Sequence, residues 1–208
     1  MPLAESETPR DCDLCPRFVG LRAEIRAKYP QWWNAPVPAW GDPAAWLALI
    51  GLAPGKHGAH RTGRPFTGDG AGDLLFPALA EAGLAHGTYR GALDDGLALE
   101  GAMILNAVKC LPPANKPTRA EFAACSRYLS AQLNALPGLK VVLAIGKDAH
   151  DALLRHHGLT LASHKFAHGA VHDLPDGTRL VDSYNVNTGR LTLAMFIDVL
   201  RQAIALRR

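Results

Sequence analysis

Residues 46–54 read WLALIGLAP, an unbroken apolar run stopped by Gly51 and Pro54. A short aliphatic run closed by helix breakers is a strand buried on both faces, as strands of a parallel sheet are. Three later stretches repeat it: AMILNAV (102–108), KVVLAIG (140–146) and RLVDSYN (179–185). Helical spacing fills the intervals. RFVGLRAEIRAK (17–28) has apolar residues at 18, 21 and 25, and DLLFPALAEAGL (73–84) ends at Gly83 with Pro77 inside it. In TRAEFAACSRYLSAQLNAL (118–136), Thr118 is the expected N-cap and Glu121 completes a capping box. KDAHDALLRHH (147–157) and TLAMFIDVLRQAIALRR (192–208) complete the helices. Strands alternating with helices predict a layered α/β chain with a mostly parallel, four-stranded sheet.

In such folds ligands bind beyond the carboxyl ends of the strands. Those ends carry LAPGKHGAHRTGRPFTGD (52–69), NAVKCLPPANKPT (106–118), GKDAH (146–150) and SYNVNTGRLT (183–192), which hold nearly all the unusual polar chemistry of the chain. One site built from four loops is the economical reading. YPQWWNAPVPAWGDPAA (29–45), broken by four prolines, reads as loop, as does the glycine-rich stretch to about Ala71.

With 208 residues, 48% of them hydrophobic and 20% charged, the chain suits a single domain spanning 1–208 with its own core. No run approaches the roughly 20 apolar residues of a membrane helix. The polar, acidic N-terminus is the reverse of a signal peptide, so a cytoplasmic protein with no membrane partner is expected. A net charge of +3 permits a nucleic-acid partner without arguing for one. The cations concentrate in KHGAHRTGR (56–64), three fixed positive charges and two histidines without an acid.

The four cysteines are Cys12, Cys15, Cys110 and Cys125, spaced C-x2-C and C-x14-C. Structural disulfides are not expected in a reducing compartment, and each thiol lies near a loop or helix end where it can point at an ion. Four thiolates suit tetrahedral zinc or an iron–sulfur cluster alike.

Among the loops, GLAPG places Gly51 and Gly55 around Pro54, so backbone N–H groups can approach a ligand closely. Phe66, in the polar, glycine-rich GRPFTGD, is a candidate flat stacking surface. Asp69 is either the N-cap of the next helix or a site acid. Asn106 is polar in an apolar strand; its amide is either satisfied within the fold or offers a donor and an acceptor together to a ring carrying the complementary pair, such as a uracil edge.

These segments together resemble the family 5 (type-b) uracil-DNA glycosylases of the iron–sulfur branch of that superfamily, over the chain from Cys12 to the last helix. RTGRPFTGD and NTGRLT are its most specific parts. The resemblance implies a three-layer αβα sandwich and a [4Fe–4S] cluster held by Cys12, Cys15, Cys110 and Cys125. It implies hydrolysis of the N-glycosidic bond of uracil in DNA, extending to other deaminated bases such as hypoxanthine or xanthine. By this resemblance Gly51, Leu52 and Ala53 line the base pocket and Phe66 stacks on the flipped base. Asn106 faces the edge of that base, and Asp69 positions or polarises water. Arg61, Arg64, Lys147, Asn187 and Arg190 are the expected DNA contacts. A monomer acting without a covalent intermediate, and no nucleophilic lysine, are expected.

The chain departs from the pattern after its last strand. The family has a His-x-Ser step following a Tyr at this point, whereas here Tyr184 joins directly to Asn185. That removes the histidine expected to donate to the base. Of the available histidines, the spacing assigns none of His57, His60 and His168 to that role. Two other readings stay open on the residues: a binding protein of the same fold with little turnover, and a zinc-stapled module that binds some other phosphorylated ligand.

Overall fold

A computed structural model describes residues 3–207. Its strands are β1 (Trp40–Gly41), β2 (Leu47–Gly51), β3 (Ala85–His86), β4 (Ala98–Leu99), β5 (Ala102–Asn106), β6 (Val141–Ile145), β7 (Val171–Asp173) and β8 (Arg179–Ser183). Its helices are α1 (Pro16–Lys28), α2 (Ala59–Thr62), α3 (Gly70–Glu81), α4 (Arg119–Asn134), α5 (Lys147–His156) and α6 (Leu193–Ala205). Arg208, within the predicted last helix, lies outside the described residues.

Six strands form the main sheet, in the order β1-β5-β2-β6-β8-β7. The four predicted strands are its parallel centre, β5-β2-β6-β8. The expected count of four is corrected by β1 and β7, which pair antiparallel at the two edges. Both escape a hydropathy reading because they are too short to alternate and only partly buried. β3 and β4 pair separately. The loop reading of 52–71 is also amended, since AHRT folds into the single turn α2.

The sheet is covered on both faces, which makes the three layers. Leu47, Leu49, Ile104, Leu143 and Val181 point to one side, where they meet Leu75, Phe76 and Leu79 of α3 and Phe196 and Leu200 of α6. Their neighbours Ala48, Ile50, Met103, Leu105 and Val142 point to the other, against Leu129 and Leu133 of α4 and Leu153 and Leu154 of α5. This period-two division explains why every strand reads apolar throughout. The capping box forms as expected: the Glu121 N–H donates to Thr118 Oγ1 (3.3 Å) and the Thr118 N–H to Glu121 Oε2 (2.6 Å).

Strand order reverses around β2, which pairs with β5 on one side and β6 on the other. The pairing of β2 and β5 runs on past their ends, with Ala107 N–H donating to the Gly51 carbonyl (2.8 Å) and Val108 N–H to that of Leu52 (2.9 Å). Gly146 N–H donates to the Ser183 carbonyl (2.8 Å) and ties the β6 and β8 exits together. The functional loops therefore leave one edge of a rigid frame.

Candidate active site

At the carboxyl ends of the parallel strands lies an open cleft of about 470 Å³, large enough for a nucleobase and part of its sugar. The stretch Gly51–His57, Phe66, Asp69 and Asn106 line it, with Asn115, Asn185, Asn187 and Thr188. The structure thus brings together all the residues expected at the base: Gly51, Leu52, Ala53, Phe66, Asp69 and Asn106. Asn187, expected at DNA, joins them.

The floor depends on Gly51. A Cβ there would stand 2.7 Å from both Asn106 Oδ1 and Phe66 Cζ, so only glycine lets the ring and the amide meet over the end of β2. Phe66 holds φ +52°, a left-handed backbone that an aromatic residue enters at a cost. Its surroundings enforce it: the Phe66 carbonyl faces Gly72, whose Cβ would lie 2.2 Å away. Asn106 is the last residue of β5 and only 4% exposed.

Asp69 answers to both sequence readings. It is the N-cap of α3, Oδ1 accepting from the Ala71 N–H at 3.2 Å. Its Oδ2 lies against the backbone of the preceding loop, where a Cβ on Gly58 would come within 2.0 Å of it. The carboxylate is thus wedged between the helix start and the glycine loop, at the rim of the cleft. Tyr89, which the sequence did not single out, braces the same turn by accepting the Gly68 N–H at 3.1 Å.

The predicted phosphate contacts divide. Arg61 is exposed and oriented, donating through Nε to the His57 carbonyl (2.7 Å) and through Nη2 to that of Gly68 (3.1 Å). Arg190 and Asn187 are exposed on the loop after β8. Lys147 is exposed at the start of α5 and pairs with Asp151 at 2.7 Å. Arg64 is a correction. Its guanidinium is 1% exposed and bonded in two places to Asp95, at 2.9 and 2.6 Å. It lies among Trp40, Phe76 and Tyr89 and cannot meet a phosphate. The Arg64 hydrogen bonds hold the Asp95 carboxyl far below its ordinary range, against the opposing effect of burial.

The sequence missed Asn115, Asn185, Thr188 and Lys56 as lining residues, although each belongs to a strand-end loop. Lys56 bears on the expectation that no lysine is placed as a nucleophile. It lines the cleft, with its ammonium 6.0 Å from the centre of the Tyr29 ring.

The histidines also separate. His57 lines the cleft. His60 is 2% exposed, with neither ring nitrogen hydrogen-bonded among the described residues, and burial, helped by Arg22, Arg26 and Lys56, lowers its pKa to about 4. His168 stacks on Tyr184 with ring centres 4.7 Å apart, and its Nδ1 accepts the Tyr184 N–H at 3.1 Å. It braces the start of the loop after β8. On the far edge, His150 faces Asp182 (2.8 Å) through Nδ1 and the His164 carbonyl (3.0 Å) through Nε2, while His172 reaches the other Asp182 oxygen at 3.1 Å. That network joins α5, β7 and β8 to the loop before β7. Burial disfavours charge on His150, but the hydrogen bond and charge of Asp182 outweigh it and raise its pKa.

The four cysteines line one apolar cavity with Leu14, Phe18 and Tyr128. Cys15 precedes α1, Cys125 sits within α4 and Cys110 follows β5. Burial, reinforced by the neighbouring thiols, raises the pKa of Cys15 to about 11 and of Cys110 to about 12. Donors to sulfur are already in place: Lys109 N–H to Cys125 Sγ (3.3 Å) and Arg22 Nη1 to Cys110 Sγ (3.9 Å). Ala53 packs against this cluster and also lines the cleft, so the two sites share a wall.

Comparison with known proteins agrees with this arrangement. Residues 38–196 match the model of the Uracil DNA glycosylase superfamily. The chain is similar to a type-5 uracil-DNA glycosylase of Thermus thermophilus, 46% identical over 95% of this chain and 94% of the relative. It is likewise similar to one of Pyrobaculum aerophilum, 41% identical over 99% and 98% of the two chains. A third, from Mycobacterium leprae, is 40% identical over 92% and 90%. With the cleft, the strand order and these relatives in agreement, the chain belongs to the uracil DNA glycosylase superfamily and to its type-5 branch.

Proposed function

We propose that the protein excises uracil from DNA by hydrolysing its N-glycosidic bond, the activity that names its relatives. One observation carries this reading: an aromatic ring, a buried amide and a carboxylate line one cleft large enough for a nucleobase and part of its sugar. A base must leave the DNA stack before chemistry can reach its sugar. In the cleft, Phe66 offers a face to the flipped ring and Asn106 offers donor and acceptor to its edge. Bond cleavage leaves positive charge on the sugar and negative charge on the departing base. Fixed amides stabilise the anion, and Asp69, its other oxygen anchored on Ala71, orients water towards the sugar. Hypoxanthine and xanthine are candidate further bases, because the cleft of about 470 Å³ is open and has room for a purine.

Arg61, Lys147, Asn187 and Arg190 are the proposed DNA contacts. Four cysteines without a disulfide among them suit the reducing cytoplasm. The four cysteines fit a [4Fe–4S] cluster. The donor set is all sulfur, the cavity is apolar and N–H groups already address two of the sulfurs. Held by Cys12, Cys15, Cys110 and Cys125, a cluster would pin the N-terminal segment, the loop after β5 and α4 to one another. Its chemistry here would be structural.

A second reading, recognition of the flipped base without turnover, is favoured by the direct junction of Tyr184 and Asn185. Measuring uracil release from a labelled oligonucleotide decides between them. Excision that Asp69→Ala loses is expected. Salt-sensitive binding of uracil DNA without release would sink the hydrolase and leave the binding protein.

A further inference from the structure

Lys109 has no part in the function described so far, yet its position is costly. Its side chain is 1% exposed, and a buried ammonium needs compensation. Among the described residues no carboxylate touches it. The Nζ donates to the Asn106 carbonyl and to Gln132 Oε1, both at 2.5 Å. Its hydrogen bonds lead to a carboxylate through the amide of Gln132, whose Nε2 donates to Glu7 Oε2 at 2.9 Å. Glu7 is held in turn by the Ala39 N–H at 3.0 Å. The backbone N–H of Lys109 meanwhile donates to Cys125.

The placement has a chemical sense. The Asn106 carbonyl ends β5, and Lys109 caps it. The same residue carries the amide that faces the cleft. A cation kept one amide away from its counter-charge retains more of its field than one in a tight ion pair. Lys109 bonds to Asn106, which lines the cleft, and through its backbone N–H to Cys125 of the thiol cavity.

We propose that Lys109 is a positioning residue for base release. Its ammonium fixes the end of β5, and with it the Asn106 amide, and holds positive charge behind the departing base. This rests on the uracil-excision reading above.

Two variants test it. Lys109→Met keeps the length of the side chain and removes the charge. The exchange Glu7→Gln with Gln132→Glu preserves the hydrogen bonds and the total charge, but puts a carboxylate directly on Lys109. Single-turnover uracil release, affinity for a non-cleavable uracil-DNA analogue and thermal unfolding are measured on each and on the wild type. Release slower by roughly tenfold or more in both is expected, with affinity for the analogue held within about twofold, because a charge acting on the transition state affects rate more than binding. Should Lys109→Met fail to fold, the exchanged pair alone decides. Wild-type release rates in a folded variant, or loss of binding in step with rate, overturn the proposal. An inert wild type would instead overturn the excision reading itself.

Discussion

Arg64 and Asp95 lie 31 residues apart and meet as a two-point ion pair, with side chains 1% and 0% exposed. Asp95 also accepts the N–H groups of Arg90 and Leu97, at 3.0 and 3.1 Å. The pair fastens the loop between β3 and β4 to the segment carrying Phe66 and Asp69. Removing one partner strands a buried charge, so Asp95→Ala should lower stability by about 3–5 kcal/mol, read as a drop in the urea midpoint. Arg64→Met combined with Asp95→Leu should recover much of that loss. The salt dependence of DNA binding by the double variant should match the wild type, since Arg64 reaches no phosphate. A shallower salt slope would show that it does.

The same pair shows what the sequence could and could not disclose. The four parallel strands and the longer helices were legible because burial on both faces leaves apolar runs, and caps such as Thr118 mark helix starts. The converging loops were legible because the parallel topology dictates where they emerge. Arg64 was misassigned because its context, three cations and two histidines without a nearby acid, looks solvated. Its acid is distant in sequence, and only tertiary structure supplies it. Lys109 hid for the related reason that its partners are a carbonyl and an amide, groups without a sequence signal. β1 and β7 were lost through their shortness.

Gly51 gives a test of the cleft that leaves the core alone. Gly51→Ala would place a methyl 2.7 Å from Phe66 Cζ and Asn106 Oδ1, displacing the ring, the amide or both. Uracil release should fall by about two orders of magnitude, as when a positioned transition-state donor is removed. Thermal unfolding should change by only a few degrees. Activity near wild type would mean that the ring and the amide do not act from their present positions.

His60 predicts a particular loss of stability in acid. Its pKa is lowered from 6.5 to about 4 in the folded chain, so the unfolded chain takes up the proton first as pH falls. The contribution of the neutral imidazole is complete above about pH 6.5, declines as pH drops towards 4 and has gone below that. A shift of this size corresponds to about 3 kcal/mol at most. Urea unfolding at pH 7 and pH 4.5 should show a smaller decline for His60→Leu than for the wild type. Equal declines would place the acid sensitivity elsewhere.

The thiol cavity yields the last prediction. Cys125 is the buried member, on α4, while Cys12 and Cys15 precede α1 and Cys110 follows β5. Cys12 and Cys15 belong to the N-terminal segment, which also meets the rest of the chain at Glu7, an acceptor of the Ala39 N–H (3.0 Å) and of Gln132 Nε2 (2.9 Å). Arg22 reaches the Cys12 carbonyl at 2.9 Å, and Arg17 pairs with Glu121 at 3.2 Å. If the cysteines hold a [4Fe–4S] cluster, purified protein should contain iron and acid-labile sulfide in equal amounts. Cys125→Ser should lose both. The loss should expose the N-terminal segment to protease before the sheet, since the parallel strands are packed independently of it. Because Ala53 borders both the cavity and the cleft, excision should weaken in the same variant without any change in the residues facing the base. Zinc in place of iron and sulfide would retain the structural staple and reject the cluster. A Cys125→Ser protein with intact protease resistance would reject the staple as well.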